Sequence, residues 1–173
     1  MQAILHTYFD QIETKKTELV SRVLSYSEQE RNLQPKPGEW SPAQVVDHLV
    51  FYENWMLAGS QKAIEAGESL KHGMLATIFT GLLRFMIGRN RRVGTLKQFE
   101  PTVVVNLAAK LEEWKNIRKN IRRRLDEITS TQMNQAFTVH PFAGPINAAC
   151  TLELISLHLD YHLRYLAKKP DST

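Results

Sequence analysis

Residues 37–52, PGEWSPAQVVDHLVFY, decide the fold. Ser41 is followed by Pro42 and, three residues on, by Gln44, which is the form of a capping box with proline at the first helical position. Trp40 and Val45 occupy the two positions of a hydrophobic staple. A helix is therefore predicted to begin within a residue of Ser41. It runs to about Ala66, where Gly67 supplies a stop. Along it Val45, His48, Tyr52 and Trp55 advance by three and four residues and share one face, so His48 sits among apolar neighbours.

Outward from this segment the period stays helical and no convincing strand is found. Leu5, Tyr8, Phe9, Ile12, Leu19 and Val23 form one stripe, predicting a first helix from about Ala3 to Leu24. It ends before the polar run from Ser25 to Gly38, where Pro35 and Pro37 forbid continuation. Beyond Glu68 a short apolar helix is expected from about Gly73 to Ile87, followed by a basic loop, GRNRRVG. Val104, Leu107, Leu111, Trp114, Ile121, Leu125 and Ile128 then mark a long helix from about Thr102 to Ile128. After the turn-rich HPFAGP at 140–145, Asn147 is the natural cap of a last helix ending near Lys168. Four amphipathic helices bury their stripes most economically in one all-α four-helix bundle, with an extra short helix inserted between the second and third.

At 173 residues the chain reads as a single domain over 1–173, long enough to need no disulfide or structural metal for folding. One cysteine, Cys150, excludes an internal disulfide and a sulfur-rich zinc module. Any metal falls to histidines and carboxylates. No basic, unbroken apolar leader is seen at the N-terminus, and Arg84 interrupts the most apolar stretch, Met74 to Gly88, which is short of a membrane span. The expectation is a cytoplasmic protein with no membrane partner. The formal net charge of +4 is uneven: residues 84–124 carry twelve basic and three acidic side chains. No aromatic residues interleave with these arginines and no DNA-binding motif accompanies them, so they read as solvated helix faces rather than a nucleic-acid site.

Chemistry is concentrated in histidine. His158 and His162 stand four apart on the last helix, within the stripe Ile155, His158, His162, Tyr165, so one cation can bridge them. His48, pointing into the bundle from the second helix, is the candidate third ligand. Three imidazoles suit Zn, Ni, Fe or Co and leave a position open, the pattern of a catalytic rather than a structural site. The competing reading from spacing alone is three satisfied core histidines.

The segment Pro37 to Leu49, the turn His140-Pro141-Phe142-Ala143-Gly144-Pro145 and the run His158-Leu159-Asp160-Tyr161-His162-Leu163-Arg164 together resemble the DinB/YfiT-like superfamily. The resemblance implies an up-down-down-up bundle and a divalent metal, Zn or Ni first, on His48, His158 and His162. It also implies a metal-dependent enzyme that activates water or a thiol, either a hydrolase or a transferase joining a low-molecular-weight thiol to an electrophile. The expected partner is a small-molecule substrate, with a homodimer as a further expectation. The alternative is a non-catalytic helical protein that binds a ligand or partner. Tyr165 departs from the family pattern of His or Gln near that position, and the insertion from Glu68 to Pro101 matches no defined active-site element.

Other residues receive plainer readings, and no general base is assigned. His140 is a turn residue before it is a substrate contact, and Tyr52 and Tyr161 are packing residues. Asp47, Glu53 and Asp160 are expected in surface salt bridges, and His6 and His72 at the surface. Trp40 reads as the staple and Trp114 as core. Trp55 is core or the lip of a pocket, and Cys150 a small buried hydrophobe.

Overall fold

The structure, a computed structural model, describes residues 2–65, 70–89, 91, 97–102 and 105–167, with 64 and 65 described by backbone alone. Its helices are α1 (Ala3–Leu24), α2 (Glu28–Asn32), α3 (Pro42–Glu65), α4 (Met74–Gly88), α5 (Leu107–Asp126) and α6 (Ala148–Leu166). A two-stranded hairpin, β1 (Thr138–His140) and β2 (Gly144–Ile146), precedes α6. The four long helices form the bundle: α1 packs on α6, α3 on α5, and α3 also meets α6. Leu5, Ile12, Leu19, Trp114, Ile121, Leu125, Leu152 and Ile155 are its fully buried centre. Among the described residues no helix is long and apolar enough to cross a membrane.

Both capping-box bonds at the start of α3 are made. Ser41 Oγ accepts from the Gln44 N–H at 3.2 Å, and Gln44 Oε1 accepts from the Ser41 N–H at 3.0 Å. The stop expected at Gly67, the Val104 position and the end of the last helix at Lys168 lie outside the described residues, as does most of the GRNRRVG loop.

Three expectations are corrected. The polar run after α1 holds the short helix α2, started by a second capping box in which Ser27 and Glu30 bond each other's backbone. The helix expected from Thr102 begins at Leu107, because Asn106 caps it through the Ala109 N–H and Thr102 is used elsewhere. The HPFAGP turn is a true hairpin, with Thr138 opposite Ile146 and His140 opposite Gly144. Gly144 at φ 70° supplies the left-handed residue after the turn. The hairpin lies against α3 at Gly59, where a Cβ would overlap the Thr138 hydroxyl.

Asp47 and Glu53 form ion pairs as expected, but not at the surface, and the solvated-face reading of Arg118 fails with that. All three are buried. Arg118 on α5 grips Glu53 on α3 with two parallel bonds of 2.5 and 2.6 Å, and its remaining Nη1 donates to Glu13 of α1 at 3.0 Å. The guanidinium thus joins three of the four bundle helices, where fork geometry matches the carboxylate. Asp160 keeps its expected role, pairing with Lys15 at 2.7 Å and tying α6 to α1.

α4 is apolar on two faces. Ala76, Thr80 and Ile87 are buried on the inner one, whereas Leu75, Ile78, Leu82 and Phe85 are more than half exposed on the other. Its inner face joins a second small core of Met56, Ala143, Ile146, Cys150 and Leu154, under the hairpin. Cys150 is buried as expected, with Sγ 3.0 Å from the Thr80 hydroxyl.

Removing one side of the buried pair strands the other. Glu53→Gln is expected to cost about 3–5 kcal/mol in urea unfolding, and the apolar double replacement Glu53→Leu/Arg118→Met is expected to recover most of that loss. A Glu53→Gln protein as stable as the parent would show that the pair is not desolvated.

Candidate metal centre

Three histidines from two helices meet at one end of the bundle. His158 Nε2 lies 3.0 Å from His48 Nε2 and 3.1 Å from His162 Nε2, and the three donor atoms all fall within 4.8 Å of one another. Nitrogens bound to one tetrahedral ion at ~2.0–2.1 Å stand ~3.3 Å apart, a spacing that the two pairs made by His158 approach. The fit rests equally on tautomer. His48 Nδ1 is 2.6 Å from the Phe99 carbonyl, which can only accept, so Nδ1 carries the hydrogen and Nε2 presents its lone pair. The Nδ1 atoms of His158 and His162 are buried without a protein partner.

All three imidazoles are held neutral. Burial lowers His48, outweighing the Phe99 carbonyl and the Asp47 carboxylate, which favour its charged form. Burial acts first on His158, followed by the repulsion that His162, His48 and His140 would exert if charged; it falls well below the ordinary value. His162 falls likewise, through burial and then His48. Neutral imidazole is the form that ligates a metal.

The Phe99 carbonyl is the element that spacing did not reveal. It ends a 3-10 turn, Lys97–Phe99, and Phe99 itself is buried. Three residues on, the Thr102 N–H and hydroxyl both bond Asp47 Oδ2, at 2.8 and 2.9 Å, while Gln44 Nε2 donates to the Thr102 carbonyl at 3.1 Å. Lys110 completes the set at 3.1 Å from Asp47 Oδ1. Burial pushes the Asp47 carboxyl up, but the Thr102 and Lys110 bonds outweigh it and hold the group below the ordinary carboxylate value. The chain segment that orients His48 is therefore fastened to the same helix that carries His48. The available signal was Asp47, a carboxylate directly beside His48 in the first turns of the helix.

Trp40 contributes more than a staple. Its ring lies 4.6 Å from His48 and 6.1 Å from His162, nearly parallel to the latter. Tyr165 holds it there: the Tyr165 hydroxyl accepts the Trp40 N–H at 2.8 Å and donates to the Trp40 carbonyl at 2.9 Å. The residue that departs from the family pattern thus anchors the tryptophan beside the histidines.

A cavity of about 120 Å³ opens from the triad. Tyr52, Tyr161 and His140 flank the histidines, and Phe79, Leu83 and Ile87 of α4 build the facing wall. The Tyr52 phenol is pushed up by burial and then by Glu53 and Cys150, so it remains protonated. His140, read as a turn residue, serves the turn and also faces the cavity: its Nδ1 accepts the Phe142 and Ala143 N–H groups, each at 3.3 Å. Trp55 is partly buried, 5.6 Å from Phe99 and 6.3 Å from His140. His6 is exposed, and His72 is half-buried beside Asn147 and Thr77.

A family model described as the DinB superfamily matches residues 11–166. The solved structure of YfiT from Bacillus subtilis, described as a probable metal-dependent hydrolase with an unusual four-helix bundle topology, is similar in fold. It superposes with a TM-score of 0.65 at 14% identity, over 97% of this chain and 86% of that one. No curated protein sequence matches the chain.

Neutral buried histidines link stability to pH. Unfolded imidazoles take up protons below about 6.5, while the folded ones resist, so the unfolded state binds more protons and stability falls as pH drops. For the chelator-treated protein the urea midpoint is expected to be flat above about pH 7. Between about pH 6.5 and 5 it should decline, by up to about 1.4 kcal/mol per pH unit for each such histidine. A midpoint that holds or rises over that interval would contradict the neutral state of the cluster.

Proposed function

The chain belongs to the DinB superfamily, and from that premise we propose that it is a metal-dependent enzyme whose divalent cation, Zn or Ni, is held by His48, His158 and His162. The observation that carries this reading is the convergence of donor nitrogens from His48, His158 and His162 on the lining of a cavity. When bound, such an ion supplies Lewis acidity, easing proton loss from water or a thiol and polarising an oxygen of the substrate. With three protein ligands, room remains for a reactant on the cavity side.

The chain's own residues do the positioning. Phe99 orients His48, and Asp47 and Gln44 fasten the segment that carries Phe99. Tyr52 and Tyr161 line the cavity, and aromatic and aliphatic side chains form much of its remaining wall. Hydrolysis is the leading reaction class, supported by the description of YfiT, and transfer of a small thiol to an electrophile is the second. Both need the same activated nucleophile and differ in what enters the cavity.

Purified protein is expected to carry close to one equivalent of divalent metal, and His48→Ala and His158→Ala to lose at least ~90% of it under equal conditions. Retention of stoichiometric metal in both variants would sink the assignment. Ester and amide substrates on one side, and thiol plus electrophile pairs on the other, assayed with and without chelator, then separate hydrolase from transferase: the true activity should vanish with chelator and return with added metal.

A further inference from the structure

The cavity wall shows which molecules fit beside such a centre. Among the described residues, none of its lining side chains is an aspartate, glutamate, lysine or arginine. Two basic side chains of α4 and its end are engaged elsewhere: Arg84 pairs with Glu153, and Arg89 lies over the Phe85 ring. Away from the histidines and the phenols of Tyr52 and Tyr161, the described lining is apolar, with Phe79, Leu83, Ile87, Phe99, Leu154 and Leu157 its main side chains. A substrate carrying a second charge would meet no opposite charge among the described lining residues.

One polar group in this wall has a fixed orientation. His140 is buried, and its Nδ1 accepts two backbone N–H groups of its own turn. In the neutral ring the hydrogen must then sit on Nε2, making that atom a donor. Burial lowers the group to about 4, so the ring stays neutral and the donor persists through ordinary pH. The ring is braced by Phe79 at 4.9 Å and Phe142 at 6.0 Å, and the strand carrying it is seated on α3 at Gly59. His140 lines the same cavity as the three histidines.

We propose that the substrate of this centre is an apolar-bodied molecule, uncharged apart from one head group, whose hydrogen-bond acceptor is held between the three histidines and His140 Nε2–H. The inference rests on the metal-dependent reading for the ion and goes beyond it in naming the substrate class. Within the thiol alternative it favours a thiol with an alkyl or aryl body. His140 binds and orients the head group.

The test uses full-length protein loaded with Co(II), whose visible spectrum reports a ligand reaching the ion, and three hydroxamates sharing one metal-binding head. Benzohydroxamate is expected to bind at least ~10-fold tighter than acetohydroxamate, through burial of its ring. Succinic monohydroxamate, which adds a carboxylate, should bind no tighter than acetohydroxamate. Leu83→Lys, which places an ammonium in the wall, should reverse that order in favour of the carboxylate probe. His140→Ala should weaken all three by ~10-fold while cobalt stoichiometry is retained. Independently of any variant, two-bond 1H–15N spectra of the parent protein should show His140 as the Nε2–H tautomer between about pH 5.5 and 8. Tighter binding of the charged probe than of benzohydroxamate, or an Nδ1–H tautomer at His140, would overturn the proposal. Failure to take up cobalt would instead overturn the metal reading on which it stands.

Discussion

From Ser41 to Val50 every residue of α3 and its cap is buried, and a helix surrounded on all sides must find hydrogen-bond partners inside the protein for each polar group it carries. Four of those ten residues, Ser41, Gln44, Asp47 and His48, are polar. Ser41 and Gln44 satisfy each other; Gln44 and Asp47 take hold of Thr102; His48 takes the Phe99 carbonyl. The inserted segment is thereby locked to α3 by the same bonds that complete the helix. The site inherits its geometry from that requirement, since the bond that satisfies His48 Nδ1 also aims its Nε2 at His158.

Charge inside the bundle follows the same logic. Glu53 lies five residues beyond His48 and is matched by Arg118 from α5, which also reaches Glu13 of α1. A buried ion pair is weak evidence for stability in itself, because desolvation offsets most of the Coulomb gain. Its geometry is nevertheless specific: a fork that bonds two helices at once admits few relative rotations of α3 and α5. The Lys15 amino group does similar work at the other side, bonding both Ser156 and Asp160, and so fixes the rotation of the helix that carries His158 and His162. The two ligand-bearing helices are thus each indexed to a neighbour by charge, which apolar packing alone does less well.

What the sequence made legible was local. The α1 boundaries, the capping box at Ser41, the cap at Asn147 and the i, i+4 pair His158 and His162 are all short-range patterns with one physical solution. What it concealed was long-range. Asp47 and Glu53 looked like surface carboxylates because their partners lie 55 and 65 residues away, on segments whose placement no periodicity reveals. Arg118 sat within a run of bases in which Lys119, Arg122 and Arg123 are exposed and Arg124 is half-buried, and composition does not single out the buried one. The hairpin escaped because three-residue strands carry no period. Its seat depends on the absence of a side chain at Gly59, visible only once α3 and β1 are brought together.

The triad carries an electrostatic argument of its own. His48 Nε2 holds a lone pair by the requirement at Phe99, and His158 Nε2 faces both it and His162 Nε2 at about hydrogen-bond distance. A single ring hydrogen can point at only one of two neighbours, so with neutral rings one pair of nitrogens is left facing without a proton between them. Adding a proton would relieve that contact, but burial and the neighbouring imidazoles oppose a charged ring, as the lowered values of His158 and His162 show. A positive centre shared by all three nitrogens resolves the conflict without protonating any of them. It also explains why the two unpartnered Nδ1 atoms are found on His158 and His162: their shared helix already aims both rings inward, whereas His48, alone on α3, requires the Phe99 carbonyl to hold its ring in place.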